Sequence, residues 1–191
     1  MRRWGFTLVE VLIVVGIATV VASLLVVIIA NSAGLFYKQS AKVGQGLGVN
    51  DALAKFRQIV KESNSIATGH PPGPTPTYTT TSTQVVLTIP STDTLGNIKP
   101  DVFDYYVFHQ DQDKLKMKIF PDIQSSRKSQ DQILATNVKG VLFYYFDSQN
   151  PPTEVAPSSA TKIKMTINLR QKSGADYEEQ IATSEASLRN D

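Results

Sequence analysis

A run of uncharged, mostly apolar residues near the N-terminus constrains the fold of this chain more than any other feature. Residues 11–30 carry no charge, and the next charged side chain is Lys38. With a rise of about 1.5 Å per residue, an α-helix of this length crosses roughly 30 Å of hydrocarbon, so the run is a predicted membrane span. Glu10 lies at its start, with no side chain of opposite charge nearby. Because ionisable groups beside a span are costly, Glu10 is a candidate functional residue.

The rest of the chain is long enough for one domain. Of the 191 residues, 41% are hydrophobic and 19% are charged. Roughly 155 residues follow the apolar run, which suits a single modest core. There is no cysteine, so disulfides and metal sites built on thiolates are excluded.

The charge balance bears on possible partners. The chain has 19 Lys and Arg residues against 17 Asp and Glu residues, and Arg2 and Arg3 account for the excess. Without those two residues the chain is neutral, whereas general nucleic-acid binders take most of their affinity from phosphate contacts. A nucleic acid is therefore not an expected partner, although a local basic face remains possible.

The flanking charges predict how the span is oriented. Arg2 and Arg3 precede the apolar run, and positive charge beside a span favours the cytoplasmic side. We therefore expect the N-terminus in the cytoplasm and the body after Lys38 outside it. A cleaved secretory signal has a shorter apolar region, of ~7–15 residues, followed by a small-residue cleavage site. No convincing site of that kind closes this run, and hydropathy alone favours a plain single-span anchor.

The residues just before the span add a more specific signal. Gly5-Phe6-Thr7-Leu8-Val9-Glu10 follows a short basic leader, and this arrangement resembles the prepilin processing motif of type IV pilins and of the pseudopilins of type II secretion. The resemblance extends over residues 5–15. It implies that prepilin peptidase, which is also the methylase, cuts between Gly5 and Phe6, and that Phe6 is then N-methylated.

The resemblance also implies a function and a set of partners. It implies a non-enzymatic filament subunit that sits in the inner membrane before it enters a pilus or pseudopilus. Its partners would be the prepilin peptidase, other pilin or pseudopilin subunits, the inner-membrane assembly platform and membrane lipid.

Glu10 acquires a role within this interpretation. The amine freed on Phe6 is cationic and enters surroundings of low dielectric constant, where Glu10 is its natural counter-charge. In a helical filament that amine would belong to a neighbouring subunit. Charges left unpaired among apolar helices are strongly destabilising, and pairing recovers much of the loss. We therefore assign Glu10 an assembly role, against the simpler alternative that its carboxylate snorkels to the headgroups.

Two further details concern the subtype. Many pilins carry a helix-bending proline about two-thirds of the way along the span, whereas residues 25–28 here read Leu-Val-Val-Ile. This difference favours a minor pilin or a pseudopilin. Residues 143–147 and 187–190 look, in patches, like those of J-type pseudopilins and related minor pilins.

Helical periodicity continues beyond the span. Apolar residues recur at the spacing i, i+4, i+7 and i+11, namely Val49, Leu53, Phe56 and Val60. This pattern predicts an amphipathic helix docked on a sheet. The three glycines within residues 44–48 are expected to soften a long helix, since each costs about 1 kcal/mol relative to alanine. The Pro- and Thr-rich residues 69–84 cannot continue the helix and are predicted to be an exposed connector.

Strand patterns dominate the rest of the chain. Predicted strands cover residues 85–89, 102–109, 114–120, 138–146, 162–170 and 177–188. We expect 110–113 to be a hairpin turn, 125–134 a short helix or turn, and 138–146 a buried central strand. One long helix followed by about six antiparallel strands predicts an α+β fold, which is also similar to the pilin architecture, with the long N-terminal helix packed on an antiparallel sheet.

These elements suggest a domain plan. It consists of a leader at 1–5, a transmembrane and filament-core helix at 6–37, its amphipathic continuation at 38–68, the connector at 69–84 and an extracytoplasmic β-sheet domain at 85–191. The alternative to a filament subunit is a protein of another class, a single-span surface binding protein that never polymerises.

The sequence gives weaker support for an active site or a ligand site than for a filament subunit. His70 and His109 are the only histidines, and no HExxH, GxSxG or P-loop pattern occurs. We therefore predict no catalytic residue, cofactor or metal. Asp104, Asp111 and Asp113 could supply oxygen ligands to calcium, but an ordinary hairpin role is favoured.

A row of lysines keeps one alternative open. Lys114, Lys116, Lys118, Lys162 and Lys164 alternate with apolar residues on two predicted strands. If the strands are neighbours, these lysines form one basic face, as a DNA-uptake minor pilin would need. The simpler interpretation is the solvated side of an amphipathic sheet.

Overall fold

The fold combines one long helix with short and long antiparallel strands. The structure is a computed structural model that describes residues 7–173 and 176–189, without the side chains of 36–47, 171–173 and 176–177. The chain divides into two compact units, Met1–Val43 and Gly44–Asp191. Helix α1 spans Leu8–Glu62 and so begins in the first unit and ends in the second.

The C-terminal part of α1 is amphipathic. Val49, Leu53, Phe56 and Val60 are all buried, which confirms the stripe predicted from their spacing. The helix ends at Glu62, and the Ser63 hydroxyl donates a 2.6 Å hydrogen bond to the Ile59 carbonyl in the last turn. The backbone N–H of Asn64 then donates to the Thr88 carbonyl, which starts sheet pairing. The helix therefore ends before residue 68, the expected limit.

Ten strands follow α1 in the described part of the chain. They are β1 (Ser65–Ala67), β2 (Gly69–His70), β3 (Tyr78–Thr79), β4 (Gln84–Thr92), β5 (Ile98–Asp111), β6 (Lys114–Phe120), β7 (Gln130–Thr136), β8 (Val138–Phe146), β9 (Lys162–Ser173) and β10 (Asp176–Ser187). One sheet has the order β1-β4-β5-β6-β7, a second has the order β10-β9-β8, and β2 pairs only with β3. All pairings are antiparallel. The predicted α+β fold class is confirmed.

The core of the second unit lies between α1 and the inner faces of the two larger sheets. The ring of Phe56 on α1 is 5.3 Å from the ring of Phe108 on β5 and 5.9 Å from that of Phe143 on β8. All three rings are almost fully buried. Phe56 therefore joins the helix to both sheets.

Two predictions about the sheets are wrong, one on the type of element and one on the place of a strand. Residues 130–136 form β7, an edge strand paired with β6, rather than a short helix or turn. Strand β8 lies at an edge of its sheet, and β9 takes the central place. Only alternate residues of this apolar run, such as Phe143, face the core. The neighbouring Leu142 is 42% exposed.

The segment expected to be an exposed connector contains a short hairpin. We call residues 69–79, with the paired strands β2 and β3, the β2–β3 hairpin. Its His70 and Tyr78 are half-buried rather than exposed. The hairpin is tight, because a Cβ added at Gly69 would lie 2.6 Å from the Tyr78 carbonyl oxygen. Glycine is therefore required where the two short strands meet.

Candidate assembly segment

The first turn of α1 holds Glu10 in place through Thr7. Thr7 immediately precedes the helix, and Glu10 is the third residue within it. The Glu10 backbone N–H donates to the Thr7 hydroxyl oxygen at 3.3 Å, and the Thr7 backbone N–H donates to Glu10 Oε2 at 3.0 Å. This reciprocal pair is a capping box, which satisfies two helix-end donors at once. A carboxylate here also interacts favourably with the positive end of the helix dipole.

Thr7 is a functional residue that we did not predict from the sequence. The signal is present, because a threonine three residues before a glutamate, ahead of an apolar run, is the sequence signature of a capping box. The Thr7 hydroxyl adds a 3.1 Å bond to the same oxygen, Oε2. Since a carboxylate has two oxygens, each able to accept more than one bond, capping leaves room for a further donor.

The helix that follows presents apolar side chains on all sides. Leu8–Leu35 is 28 residues long, and among the described residues it is the one segment that is long and apolar enough to cross a membrane. Every described side chain from 8 to 35 is exposed. Two of its hydroxyls are satisfied within the helix, since Thr19 donates to the Val15 carbonyl and Ser23 to the Val20 carbonyl, both at 2.8 Å. Such a surface fits a single-pass membrane anchor, where polar groups must find partners within the helix.

Small residues leave part of this surface open to close approach. A Cβ added at Gly16 would meet nothing within 4 Å. Small residues at such positions let helix backbones pack closely in lipid. Of the three residues assigned to processing and assembly, the structure places Glu10 alone, because Gly5 and Phe6 lie outside the described residues.

The lysine face considered for DNA contact is divided. Strand β6, which carries Lys114, Lys116 and Lys118, belongs to the five-stranded sheet, whereas β9 belongs to the three-stranded sheet. The two sets of lysines are therefore not on neighbouring strands, so the condition for one continuous basic face is not met.

Several of these lysines also have acidic partners. Lys116 pairs with Asp111 at 2.6 Å, and Lys118 pairs with Asp131 at 3.3 Å. On the other sheet, Lys162 pairs with Glu185 at 3.2 Å. Lysines that are already paired offer less attraction to phosphate groups.

The aspartates considered for calcium are also separated. Asp104 is fully buried, where its carboxylate accepts a 2.7 Å bond from Nη1 of Arg127. Asp111 lies seven residues further along β5 and so on its opposite face, where it pairs with Lys116. In the described part of the chain, no group of three or more His, Asp or Glu side chains is arranged to hold a metal.

Comparison with known proteins bears on the N-terminal segment. Residues 2–26 match the family described as the prokaryotic N-terminal methylation motif. Among the curated proteins compared with the chain, none matches it. The match includes Thr7, Glu10 and the first half of the apolar helix.

The protein therefore carries a type IV prepilin-like signal on an N-terminal helix capable of crossing a membrane. The motif supports the class of pilins and pseudopilins. The family defined by this motif is structural and non-enzymatic. It also implies processing by prepilin peptidase and assembly with other pilins.

Proposed function

We propose that this protein is a non-enzymatic minor pilin or pseudopilin, built into a type IV pilus or a type II secretion pseudopilus. One observation carries the proposal. Within the matched motif, Glu10 is held near the start of the helical stretch Leu8–Leu35, whose 28 residues are otherwise uncharged and are all exposed. A buried filament core needs such an apolar surface, and an acidic group at its end gives neighbouring subunits a charge to pair with.

The proposed maturation proceeds in the membrane. Arg2 and Arg3 keep the N-terminus cytoplasmic, and the body from residue 38 onward is extracytoplasmic. Prepilin peptidase hydrolyses the bond between Gly5 and Phe6, releases the leader 1–5 and methylates the new amine. The helix over 6–37 first anchors the subunit in lipid and then becomes part of the filament core.

Assembly depends on one charge pair in this proposal. The Phe6 amine of one subunit meets the Glu10 carboxylate of its neighbour as the helices pack. The capping bonds to Thr7 hold Oε2 of Glu10, and the second oxygen faces the incoming cation. Because both charges leave the headgroup region together, pairing fixes the register between subunits.

The choice of a minor pilin or pseudopilin rests on the span and on the body. The span has no proline at residues 25–28. The patches at 143–147 and 187–190 resemble J-type pseudopilins. DNA uptake is disfavoured because the lysines lie on two sheets and several of them are paired with acids.

The mass of the N-terminus tests processing. In cells that contain prepilin peptidase, we expect the chain to begin at Phe6 with one added methyl group, and in cells without the enzyme to retain residues 1–5. Mass spectrometry of the purified protein distinguishes the two forms. An intact leader in the presence of the peptidase would favour the single-span binding protein that never polymerises.

Substitution of Glu10 tests the assembly role. Glu10→Gln keeps side-chain groups that can complete the capping box but removes the negative charge. We expect its incorporation into filaments, measured on sheared filaments by immunoblot, to fall by about tenfold, since an unpaired amine must enter the apolar core. Its level in the membrane should not change.

A matched variant separates charge from capping. Thr7→Ala removes the hydroxyl of the cap but leaves the Glu10 carboxylate and the Thr7 backbone N–H bond in place. Losing a cap of this kind costs typically about 1 kcal/mol of helix stability, so we expect a smaller decrease than for Glu10→Gln. Equal defects in the two variants would mean that Glu10 acts as a helix cap and not as a counter-charge.

A further inference from the structure

Both histidines of the chain lie together on the outer face of the five-stranded sheet. The ring of His70, on the β2–β3 hairpin, is 4.6 Å from the ring of Tyr105 and 4.5 Å from that of Phe120. The ring of His109, on β5, is 5.5 Å from that of Tyr78, which pairs with His70 across the hairpin. The two imidazoles therefore belong to one cluster of rings, formed by the hairpin and the sheet beneath it.

The hairpin acts as a cover for this face. Tyr106 and Phe108 point into the core, so Tyr105, Val107 and His109 point outward on the alternating strand β5. Val107 and its pairing partner Val86 on β4 are nonetheless 0% exposed and lie outside the main core cluster.

Tyr78 of the hairpin packs on the same outer face as Val107. Its ring lies 5.6 Å from the ring of Phe120 and 5.6 Å from Nζ of Lys118, in addition to its contact with His109. Lys118 is the β6 residue opposite Val107. The Tyr78 ring therefore lies close to three residues, His109, Lys118 and Phe120, that surround Val107 on the outer face.

The imidazoles are poorly placed to carry a charge. Nδ1 is buried in both His70 and His109, and neither atom has a hydrogen-bond partner among the described residues. Burial lowers the pKa of His70, and burial followed by the charge of Lys118 lowers the pKa of His109. A proton added to either ring would place a cation in an aromatic, partly dehydrated cluster.

The other charges around the rings oppose one another. Lys118 and Lys116 disfavour a charged His109, whereas Asp111 and Asp131 favour it. Gln84 is the neutral β4 residue opposite His109. On the His70 side, Asp101 and Asp122 line a cavity of about 530 Å³ next to the ring.

We propose that the β2–β3 hairpin is an acid-opened cover, which lifts from the sheet when His70 and His109 are protonated and so exposes Val86 and Val107. In the closed state each histidine has a pKa below its value in the open state. The closed state therefore binds fewer protons, is stable above about pH 6.5, and loses stability as the pH falls below that value.

Hydrogen exchange on the full chain in detergent micelles tests this proposal. The Thr80 backbone N–H donates to the Thr68 carbonyl at 2.9 Å and reports on hairpin closure. Between about pH 7.5 and about pH 5, we expect its protection, corrected for the intrinsic exchange rate, to fall several-fold, because the open state binds more protons than the closed state in this range. The amides of β5 and β6 should keep their protection.

A double variant provides the matched control. His70→Phe with His109→Phe keeps aromatic rings at both positions but removes the protons, so hairpin protection should become independent of pH in this range. Constant protection in the wild type, or an equal loss in the double variant, would overturn the proposal. If the double variant fails to fold, NMR titration of both imidazoles in the wild type decides instead. Histidine pKa values at or above about 6.5 would then refute the proposal, and lower values that coincide with hairpin opening would support it.

Discussion

Replacing Asp104 by alanine should lower the free energy of unfolding by about 3 kcal/mol, the lower end of the range for removing one partner of a buried ion pair, because Arg127 keeps part of its side chain in water. Asp104 is 0% exposed. Its carboxylate accepts bonds from Ser91 Oγ at 2.6 Å, Arg127 Nη1 at 2.7 Å and Ser125 Oγ at 2.8 Å. The backbone N–H of Asp122 adds a fourth at 2.9 Å. Alanine would leave these donors without their acceptor, and the Ser91 hydroxyl is fully buried.

Urea denaturation of the full chain, followed by circular dichroism, measures this effect. The control is Glu179→Ala, which breaks the ion pair with Lys139. Both partners of that pair are about half exposed, and exposed pairs contribute little, so we expect no measurable change. Residues 121–127 supply three of the four donors to Asp104. Equal urea midpoints for the wild type and Asp104→Ala would show that Asp104 does not hold this segment to the sheet.

The same aspartate predicts how stability responds to acid. Burial would raise the pKa of Asp104, but hydrogen bonds from Ser91, Arg127, Asp122 and Ser125 outweigh it and hold that pKa below its usual value. The folded state thus binds fewer protons than the unfolded state. The contribution of Asp104 is fully present above about pH 4 and is lost as the pH falls through its lower, folded-state pKa.

Phe56→Ala should destabilise the second unit by about 3–5 kcal/mol, the usual range for a buried phenylalanine, because truncation leaves a cavity between α1 and both sheets. Phe56 is 0% exposed, and its ring contacts Phe108 and Phe143, which belong to different sheets. The expected result is a lower urea midpoint with an unchanged slope.

Leu142→Ala is the matched control for Phe56. Leu142 lies on β8 beside Phe143 but is 42% exposed. Removing its side chain should cost about 1 kcal/mol or less, since little apolar area returns to water. A similar loss in both variants would mean that the contact between α1 and the sheets adds nothing beyond ordinary side-chain burial.

Regular patterns made much of the fold predictable. The helical spacing from Val49 to Val60 identified the buried face of α1, and all four residues of the stripe are in the core. The alternation in β6 predicted its buried residues Leu115, Met117 and Ile119. The spacing of the apolar residues agrees with the observed burial in these elements because each has one face on the core and one in solvent.

Elements that depend on distant parts of the chain were not predictable. Strand β7 begins Gln130-Asp131-Gln132, three exposed polar residues, and is a strand because β6 offers it an edge. The hairpin strands β2 and β3 are two residues each and depend on packing against Tyr105 and Phe120. Local preference says little in either case, because tertiary contacts decide the structure.

The functional residues also differ in how far the sequence could predict them. The motif and the apolar run pointed to Glu10 directly, since both are contiguous in the sequence. The network around Asp104 could not be foreseen, because Ser91, Ser125 and Arg127 meet it only after the 121–127 segment folds back. Burial of the two histidines likewise depends on the hairpin that covers the sheet.

Cleavage in the proposed maturation would leave the capping box intact. Thr7 and Glu10 both lie on the retained side of the bond between Gly5 and Phe6, and the N–H that Thr7 donates belongs to the next peptide, between Phe6 and Thr7. Proteolysis at Gly5 would therefore create a new charge without disturbing the two bonds that terminate the helix. In the proposed maturation the precursor and the product would therefore share the same capping bonds, and cleavage would change only the charge next to the start of the helix.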